Sequence, residues 1–84
     1  MNDAGSVWTY IIHTESDEYY CGKTNNIDRR LEEHRTTHST WFCKPSRRTF
    51  LSVMIFDGDF EKSIKRSGVK FIFTLLESLH HETN

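Results

Sequence analysis

Residues 20–34 read Tyr-Cys-Gly-Lys-Thr-Asn-Asn-Ile-Asp-Arg-Arg-Leu-Glu-Glu-His, an apolar strand end that turns at Gly22 into a charged helix. The inward-facing positions of this helix, at i, i+3, i+4 and i+7, hold Ile27, Arg30, Leu31 and His34. Half of that stripe is therefore Arg and His, which is unusual for a helix that packs on a core. Because a charge on a core face costs free energy unless it is paired, Arg30 is predicted either to form an ion pair or to bind an anion.

A β-hairpin is predicted before this helix. Residues 7–13 alternate in β-favouring side chains, with Trp8, Tyr10 and Ile12 on one face. Residues 14–18 have the composition of a turn, and residues 19–23 are predicted to pair back as the second strand. This pairing brings Tyr10 close to Tyr20, and both packing in a half-buried pleat and a shared functional site explain two tyrosines in that position.

The rest of the chain is predicted to add a loop, a third strand and helices. Thr24, Asn25 or Asn26 can cap the first helix, which should end at residue 35 or 36. Residues 36–48 contain the only proline and are predicted to form a loop or a short helix. Residues 49–56 are predicted to form an apolar strand, residues 57–59 its turn, and residues 60–66 a helix that Asp59 can cap.

Two foldings of the last third stay open. Ser67 can cap a second helix that carries Val69, Ile72, Phe73, Leu76 and Leu79 at helical spacing. Residues 69–76 also alternate, however, and the period of a short apolar run does not separate a strand from a helix.

These elements predict an α+β fold, a small three-stranded antiparallel sheet flanked by helices, in a single domain over residues 1–84. No segment reaches the roughly 18 apolar residues of a membrane span, and none resembles a secretory leader. We therefore expect an intracellular protein, cytoplasmic or nucleoid-associated, without a membrane partner. Cys21 and Cys43 lack the spacing of a metal or redox pair and are predicted to be free thiols.

Charge is unevenly distributed, although the net charge is only −1. Residues 1–20 sum to −4 and residues 21–50 to +4, so a local phosphate contact in the middle of the chain is predicted, with a solvated surface as the alternative. Aromatic side chains among these cations can stack on bases or close the core. The residues predicted to contact nucleic acid are Lys23, Arg29, Arg35, Trp41, Lys44, Arg47 and Arg48.

This pattern resembles the GIY-YIG nuclease family. Tyr20-Cys21-Gly22 is similar to the family's second tripeptide, and Arg30 stands eight residues after that glycine, where the family has its catalytic arginine. The family's helix histidine falls on His34. The first tripeptide falls on Trp8-Thr9-Tyr10, which matches only at Tyr10, and the segment Glu61-Lys62-Ser63-Ile64-Lys65 resembles the catalytic helix of the compact single-domain branch.

The resemblance implies a DNA endonuclease that hydrolyses phosphodiester bonds with Mg²⁺ or Mn²⁺. It assigns catalytic roles to Tyr10, Tyr20, Arg30, His34 and Glu61, and it makes Glu61 the metal ligand. One carboxylate is chemically sufficient, because Mg²⁺ keeps several waters and needs only one or two. From the residues alone, a surface ion pair with Lys65 is the favoured role of Glu61, and the resemblance reverses that order; Glu77 competes for the metal.

An inactive module of the same fold, binding nucleic acid or protein, is the alternative function. It is the expected outcome if residues 69–76 form the third strand of the fold, because the chain would then lack the catalytic helix.

Overall fold

The computed structural model describes residues 6–36 and 40–82 and has a three-stranded antiparallel sheet at its centre. The strands are β1 (Trp8–Thr14), β2 (Tyr19–Thr24) and β3 (Phe50–Asp57), in the order β2-β1-β3. The helices are α1 (Ile27–Thr36), α2 (Glu61–Ser67) and α3 (Val69–Glu82). Two 3₁₀ helices, Thr40–Cys43 and Pro45–Arg47, precede β3, and we call residues 40–47 the 3₁₀ segment. The predicted α+β class is confirmed. The single domain over residues 1–84 stays a prediction, since residues 1–5, 37–39 and 83–84 lie outside the described residues.

Each face of the sheet carries its own apolar cluster. The first cluster contains the buried side chains Tyr10, Ile12, Ile27 and Phe42 and lies under α1 and the 3₁₀ segment. The second contains Ile11, Cys21, Ile64 and Phe73 and lies under α2 and α3. The predicted alternation along β1 is confirmed, because successive side chains of a strand point to opposite faces.

Cys21 belongs to the second cluster as a small apolar side chain. Burial raises the pKa of its thiol to about 11, so the group is neutral and packs with Ile64 and Phe73. Both Cys21 and Cys43 are free thiols, as predicted.

Asn26 caps α1, one of the three residues predicted for this role. Its side-chain Oδ1 accepts a hydrogen bond from the Arg29 backbone N–H at 3.0 Å. Such a cap contributes about 1 kcal/mol and fixes the start of the helix that carries Arg30 and His34.

The last third of the chain is helical, so the strand alternative for residues 69–76 is wrong. Phe73 is 1% exposed on the inner face of α3, where helical spacing places it. Ser67 does not have the predicted capping position, because it ends α2 and Gly68, with φ of 106°, separates the two helices. Among the described residues, no helix is long and apolar enough to cross a membrane.

A buried threonine ties the start of α2 to the central strand. Thr9 is fully buried, and its hydroxyl donates a hydrogen bond to the Gly58 carbonyl oxygen at 2.6 Å. The Thr9 hydroxyl oxygen in turn accepts a hydrogen bond from the Phe60 backbone N–H at 2.8 Å. Asp59 was predicted to cap α2, but Phe60 holds the N-cap position; Asp59 precedes it, and its Oδ1 accepts from the Glu61 N–H at 3.4 Å. The turn that delivers Glu61 is therefore anchored to β1.

Candidate active site

Four of the five residues predicted to be catalytic lie around the first apolar cluster. The register of the hairpin places Tyr10 opposite Gly22 and Ile12 opposite Tyr20, so both tyrosines are on the α1 face. The ring centroids of Tyr10 and Tyr20 are 6.3 Å apart, and the His34 ring lies 5.8 Å from the first and 5.2 Å from the second. The predicted proximity of the two tyrosines is confirmed.

Gly22 makes room for the Tyr10 ring. A Cβ added at Gly22 would lie 2.6 Å from Tyr10 Cζ, which is closer than van der Waals contact permits. The missing side chain therefore lets the phenol cross β2 and reach α1.

Replacing Gly22 with alanine should therefore displace the Tyr10 ring and lower the free energy of unfolding by about 1–3 kcal/mol, the usual cost of overpacking a core. Urea unfolding checks the stability. The cost should shrink when Tyr10→Phe is added, because the ring then loses its hydroxyl and its hydrogen bond to His34 and can shift. An equal cost in both backgrounds would contradict the proposed clash.

Tyr10 and His34 form a hydrogen bond, with 2.7 Å between the Tyr10 hydroxyl oxygen and His34 Nε2. Burial, aided by the Arg30 guanidinium, lowers the pKa of His34 to about 4. Burial also raises the pKa of Tyr10 well above its ordinary value. Both groups are thus neutral at pH 7, so the phenol donates and Nε2 accepts.

The stability of the domain should fall as the pH is lowered from about 6.5 to about 4, because His34 must stay neutral in the folded state. In that window the unfolded chain binds a proton that the folded chain does not, so the free energy of unfolding rises with pH. Urea unfolding at several pH values measures the slope. His34→Gln should flatten it, whereas His13→Gln, a control on the opposite face, should retain it; an unchanged slope in His34→Gln would refute the assignment.

Arg30 combines a weak ion pair with an unsatisfied nitrogen. Its Nε lies 3.5 Å from Glu33 Oε1, yet it is buried without a hydrogen-bond partner among the described residues. The side chain is 41% exposed, so the guanidinium itself reaches solvent beside the tyrosines. The predicted ion pair is therefore confirmed, and anion binding by Arg30 stays a prediction.

Glu61 is the first residue of α2 and lies within electrostatic range of this group. Burial is the main reason why the pKa of Tyr10 is raised, and the fields of Tyr20 and Glu61 add to it while Arg30 opposes it. The Glu61 carboxylate is 22% exposed and lies 3.3 Å from Lys65 Nζ, the ion pair that the sequence offered as an alternative. Glu77 is exposed on α3.

The donor set fits only a metal that takes few protein ligands. No group of three His, Cys, Asp or Glu side chains suited to a metal ion occurs in residues 6–36 and 40–82. A single partly exposed carboxylate suits Mg²⁺ or Mn²⁺, which complete their coordination with water and phosphate oxygens.

A comparison with known families bears on this arrangement. The profile of the GIY-YIG catalytic domain matches residues 6–74. The chain belongs to the GIY-YIG family. It is also similar to a UPF0213 protein of Limosilactobacillus reuteri (strain DSM 20016), with 26% identity over 66 residues that cover 79% of this chain and 68% of that protein. No solved structure gives a significant match.

Most cations predicted to contact nucleic acid in this GIY-YIG domain are engaged within the protein. Lys23 Nζ lies 3.1 Å from Asp59, Arg29 Nε 3.9 Å from Glu33, and Arg35 Nη1 3.9 Å from Glu32. These pairs are exposed and contribute little, so a phosphate can displace the carboxylates. Lys44 is exposed between the two 3₁₀ helices.

Arg47 and Arg48 have a different environment from the other predicted contacts. Arg47 forms a two-point ion pair with Glu18, and Arg48 Nη1 donates to the carbonyl oxygens of Phe42 and Cys43 at 2.8 and 3.2 Å. Both side chains brace the 3₁₀ segment in this structure. Phosphate contact by either one stays a prediction.

Phe42 is a site residue that the sequence analysis did not assign. It is 3% exposed, and its ring stacks on His34 with centroids 4.1 Å apart and planes at 15°. Trp41 packs against the same cluster, 5.2 Å from the Tyr20 ring. From the sequence, Trp41 and Phe42 could either stack on bases or close the core; the structure shows that Phe42 closes the core. The only signal for it was a Trp-Phe pair in an otherwise polar loop.

An apolar groove of about 290 Å³ lies away from this group, between α2 and α3. Its lining includes Phe56, Phe60, Ile64, Ile72 and Leu76 but none of the predicted site residues. It therefore offers no chemistry for phosphodiester cleavage.

Proposed function

We propose that this GIY-YIG domain is an intracellular DNA endonuclease that hydrolyses phosphodiester bonds with Mg²⁺ or Mn²⁺. The observation that carries the proposal is Arg30, whose buried Nε lacks a hydrogen-bond partner among the described residues beside the hydrogen-bonded pair Tyr10 and His34. Packing alone does not require a half-exposed guanidinium with one weak ion pair at this position, whereas an anionic substrate would engage its solvent-facing side.

Arg30 would stabilise the charge that develops on the phosphate. Its planar guanidinium matches the geometry of phosphate oxygens, and its charge is permanent. The transition state carries more charge on those oxygens than the ground state does, so the interaction accelerates the reaction instead of only binding substrate.

Tyr10 and His34 would orient the attacking water and take its proton. The Tyr10 proton points to His34 Nε2, which leaves the phenol oxygen free to accept a hydrogen bond from water. As the water oxygen attacks phosphorus, the water proton would pass to Tyr10 and the Tyr10 proton to Nε2. The leaving oxygen would take the electron pair of the broken bond and a proton from a solvent water molecule. Protonated His34, which is acidic because burial lowers its pKa to about 4, would return its proton to solvent. Tyr20, against both rings, would position this pair.

Glu61 would hold the metal. When bound, Mg²⁺ or Mn²⁺ supplies Lewis acidity at the phosphate and lowers the pKa of a water molecule. The Glu61–Lys65 pair does not oppose this role, because an exposed lysine exchanges its partner at little cost.

DNA is the proposed partner, bound through few phosphate contacts. The net charge of −1 and the internal pairing of most predicted contact residues limit the electrostatic attraction. The same observation favours the second candidate, a binding module without catalytic activity.

Incubation with supercoiled plasmid and with short nicked, flapped and branched duplexes, each with Mg²⁺, Mn²⁺ or EDTA, separates the two functions. We expect nicking or cleavage that requires the metal. Cleavage that persists in EDTA would refute the metal dependence. DNA binding without cleavage of any substrate would establish the binding module, and the Arg30→Ala protein controls for contaminating nucleases.

A further inference from the structure

The Glu18–Arg47 pair joins the β1–β2 turn to the 3₁₀ segment. Arg47 Nε donates to Glu18 Oε1 at 2.9 Å, and Nη2 donates to Oε2 at 2.7 Å. The third nitrogen, Nη1, donates to the Trp41 carbonyl oxygen at 3.0 Å. The Arg47 side chain is only 17% exposed, so the pair is better shielded from water than the other arginine pairs in the described residues.

Each partner of this ion pair is also held by a second contact. The Ser16 hydroxyl donates a hydrogen bond to Glu18 Oε1 at 2.8 Å. The guanidinium carbon of Arg47 lies over the Trp41 ring, 4.5 Å from the ring centroid. Hydrogen bonds from Arg47 and Ser16 lower the pKa of the Glu18 carboxyl to about 2. A two-point arginine–carboxylate geometry fixes orientation as well as distance.

The pair acts on the aromatic residues that cover the tyrosines. Trp41 and Phe42 pack edge to face with centroids 5.0 Å apart, and Phe42 contacts both Tyr20 at 4.9 Å and His34 at 4.1 Å. A chain of contacts therefore runs from Arg47 through Trp41 and Phe42 to His34.

We propose that Glu18 and Arg47 are positioning residues of the active site, which hold Phe42 over His34 and so keep the Tyr10–His34 hydrogen bond aligned and the His34 imidazole shielded from bulk water. The inference deepens the proposed function, on which its catalytic meaning rests. It gives Arg47 a role other than phosphate contact.

Backbone contacts alone do not provide this orientation. The Glu15 N–H donates to the Thr49 carbonyl oxygen at 2.8 Å and already brings the turn to the far end of the loop. That bond lies beyond Trp41 and Phe42 in the chain. Arg48 Nη1 holds the carbonyl oxygens of Phe42 and Cys43, and the Glu18–Arg47 pair adds the contacts to the Trp41 carbonyl oxygen and ring.

The pKa of His34 measures this arrangement directly. The groups that face the imidazole are Tyr10, Tyr20, Phe42 and Arg30, with Glu33 on the same helix. Burial lowers the pKa of His34 to about 4, and Arg30 assists while Glu33 opposes. If the aromatic cover opens, water reaches the ring and the pKa rises toward about 6.5.

Ring-labelled histidine NMR, without DNA, follows this titration in Arg47→Gln and Glu18→Gln. The His34 resonance is assigned by its loss in His34→Gln. We expect the His34 pKa to rise toward about 6.5 in both variants. Arg66→Gln, which removes an exposed arginine of α2, is the matched control and should leave the His34 pKa unchanged.

An unaltered His34 pKa in folded Glu18→Gln overturns the proposal, and this nearly isosteric change decides the question if Arg47→Gln does not fold. The readout is independent of catalysis. If the His34 pKa rises in the variants but the unmodified protein has no nuclease activity, the positioning role is supported and the proposed function is refuted. If the unmodified protein is a nuclease but the His34 pKa is unaltered in the variants, the proposed function is supported and the positioning role is refuted.

Discussion

Arg30→Ala is expected to lower the rate of DNA cleavage by at least about 100-fold, the usual loss when a charge partner of the transition state is removed. Arg30 has the geometry for this role, since its Nε is buried without a hydrogen-bond partner among the described residues while the side chain is 41% exposed. Single-turnover cleavage of labelled DNA at saturating protein measures the chemical step separately from binding.

Arg66→Ala serves as the control because it removes the same charge from an exposed position on α2, outside the proposed site. Its cleavage rate should equal that of the unmodified protein. Circular dichroism verifies that both variants are folded. Full activity in folded Arg30→Ala would rule out its role at the phosphate.

Glu61→Gln is expected to abolish metal-dependent cleavage and to weaken Mg²⁺ binding, because the amide keeps the shape of the carboxylate but removes its charge. The proposed metal site relies on the charge of one carboxylate, because no group of three candidate ligands occurs in the described part of the chain. Isothermal titration calorimetry with Mg²⁺, beside the cleavage assay, separates loss of metal binding from loss of catalysis.

Glu77→Gln is the matched control on α3, and it should retain both metal binding and cleavage. Loss of metal binding and cleavage in Glu77→Gln alone would assign the metal to Glu77 instead of Glu61. Full retention of metal binding and cleavage in both variants would show that neither Glu61 nor Glu77 is the metal ligand.

Local sequence patterns were sufficient to predict most of the sheet and the first helix. The two strands before α1 and the cap at Asn26 follow from alternation and turn chemistry, which act between near neighbours. The proximity of Tyr10 and Tyr20 also followed from the predicted hairpin, whereas His34 was assigned to the same site only through the family resemblance.

Contacts between distant segments were not predictable. Glu18 and Arg47 are 29 residues apart, and neither spacing nor composition marks them as partners. Phe42 was ambiguous because its burial depends on how the loop folds back. The prediction that Ser67 caps the last helix was wrong, because Gly68 adopts a left-handed φ and allows α3 to begin almost immediately after α2.

Thr9 gives one departure from the family pattern a physical explanation. An aliphatic residue in the middle of the first tripeptide has no hydroxyl to bridge Gly58 and Phe60, so a short connection after β3 would lose two buried hydrogen bonds. The polar residue and the short connection thus compensate for each other. We expect the two traits to occur together: relatives with threonine or serine here should share the abrupt entry into α2, and those with an aliphatic residue should have a longer segment before the equivalent of Glu61.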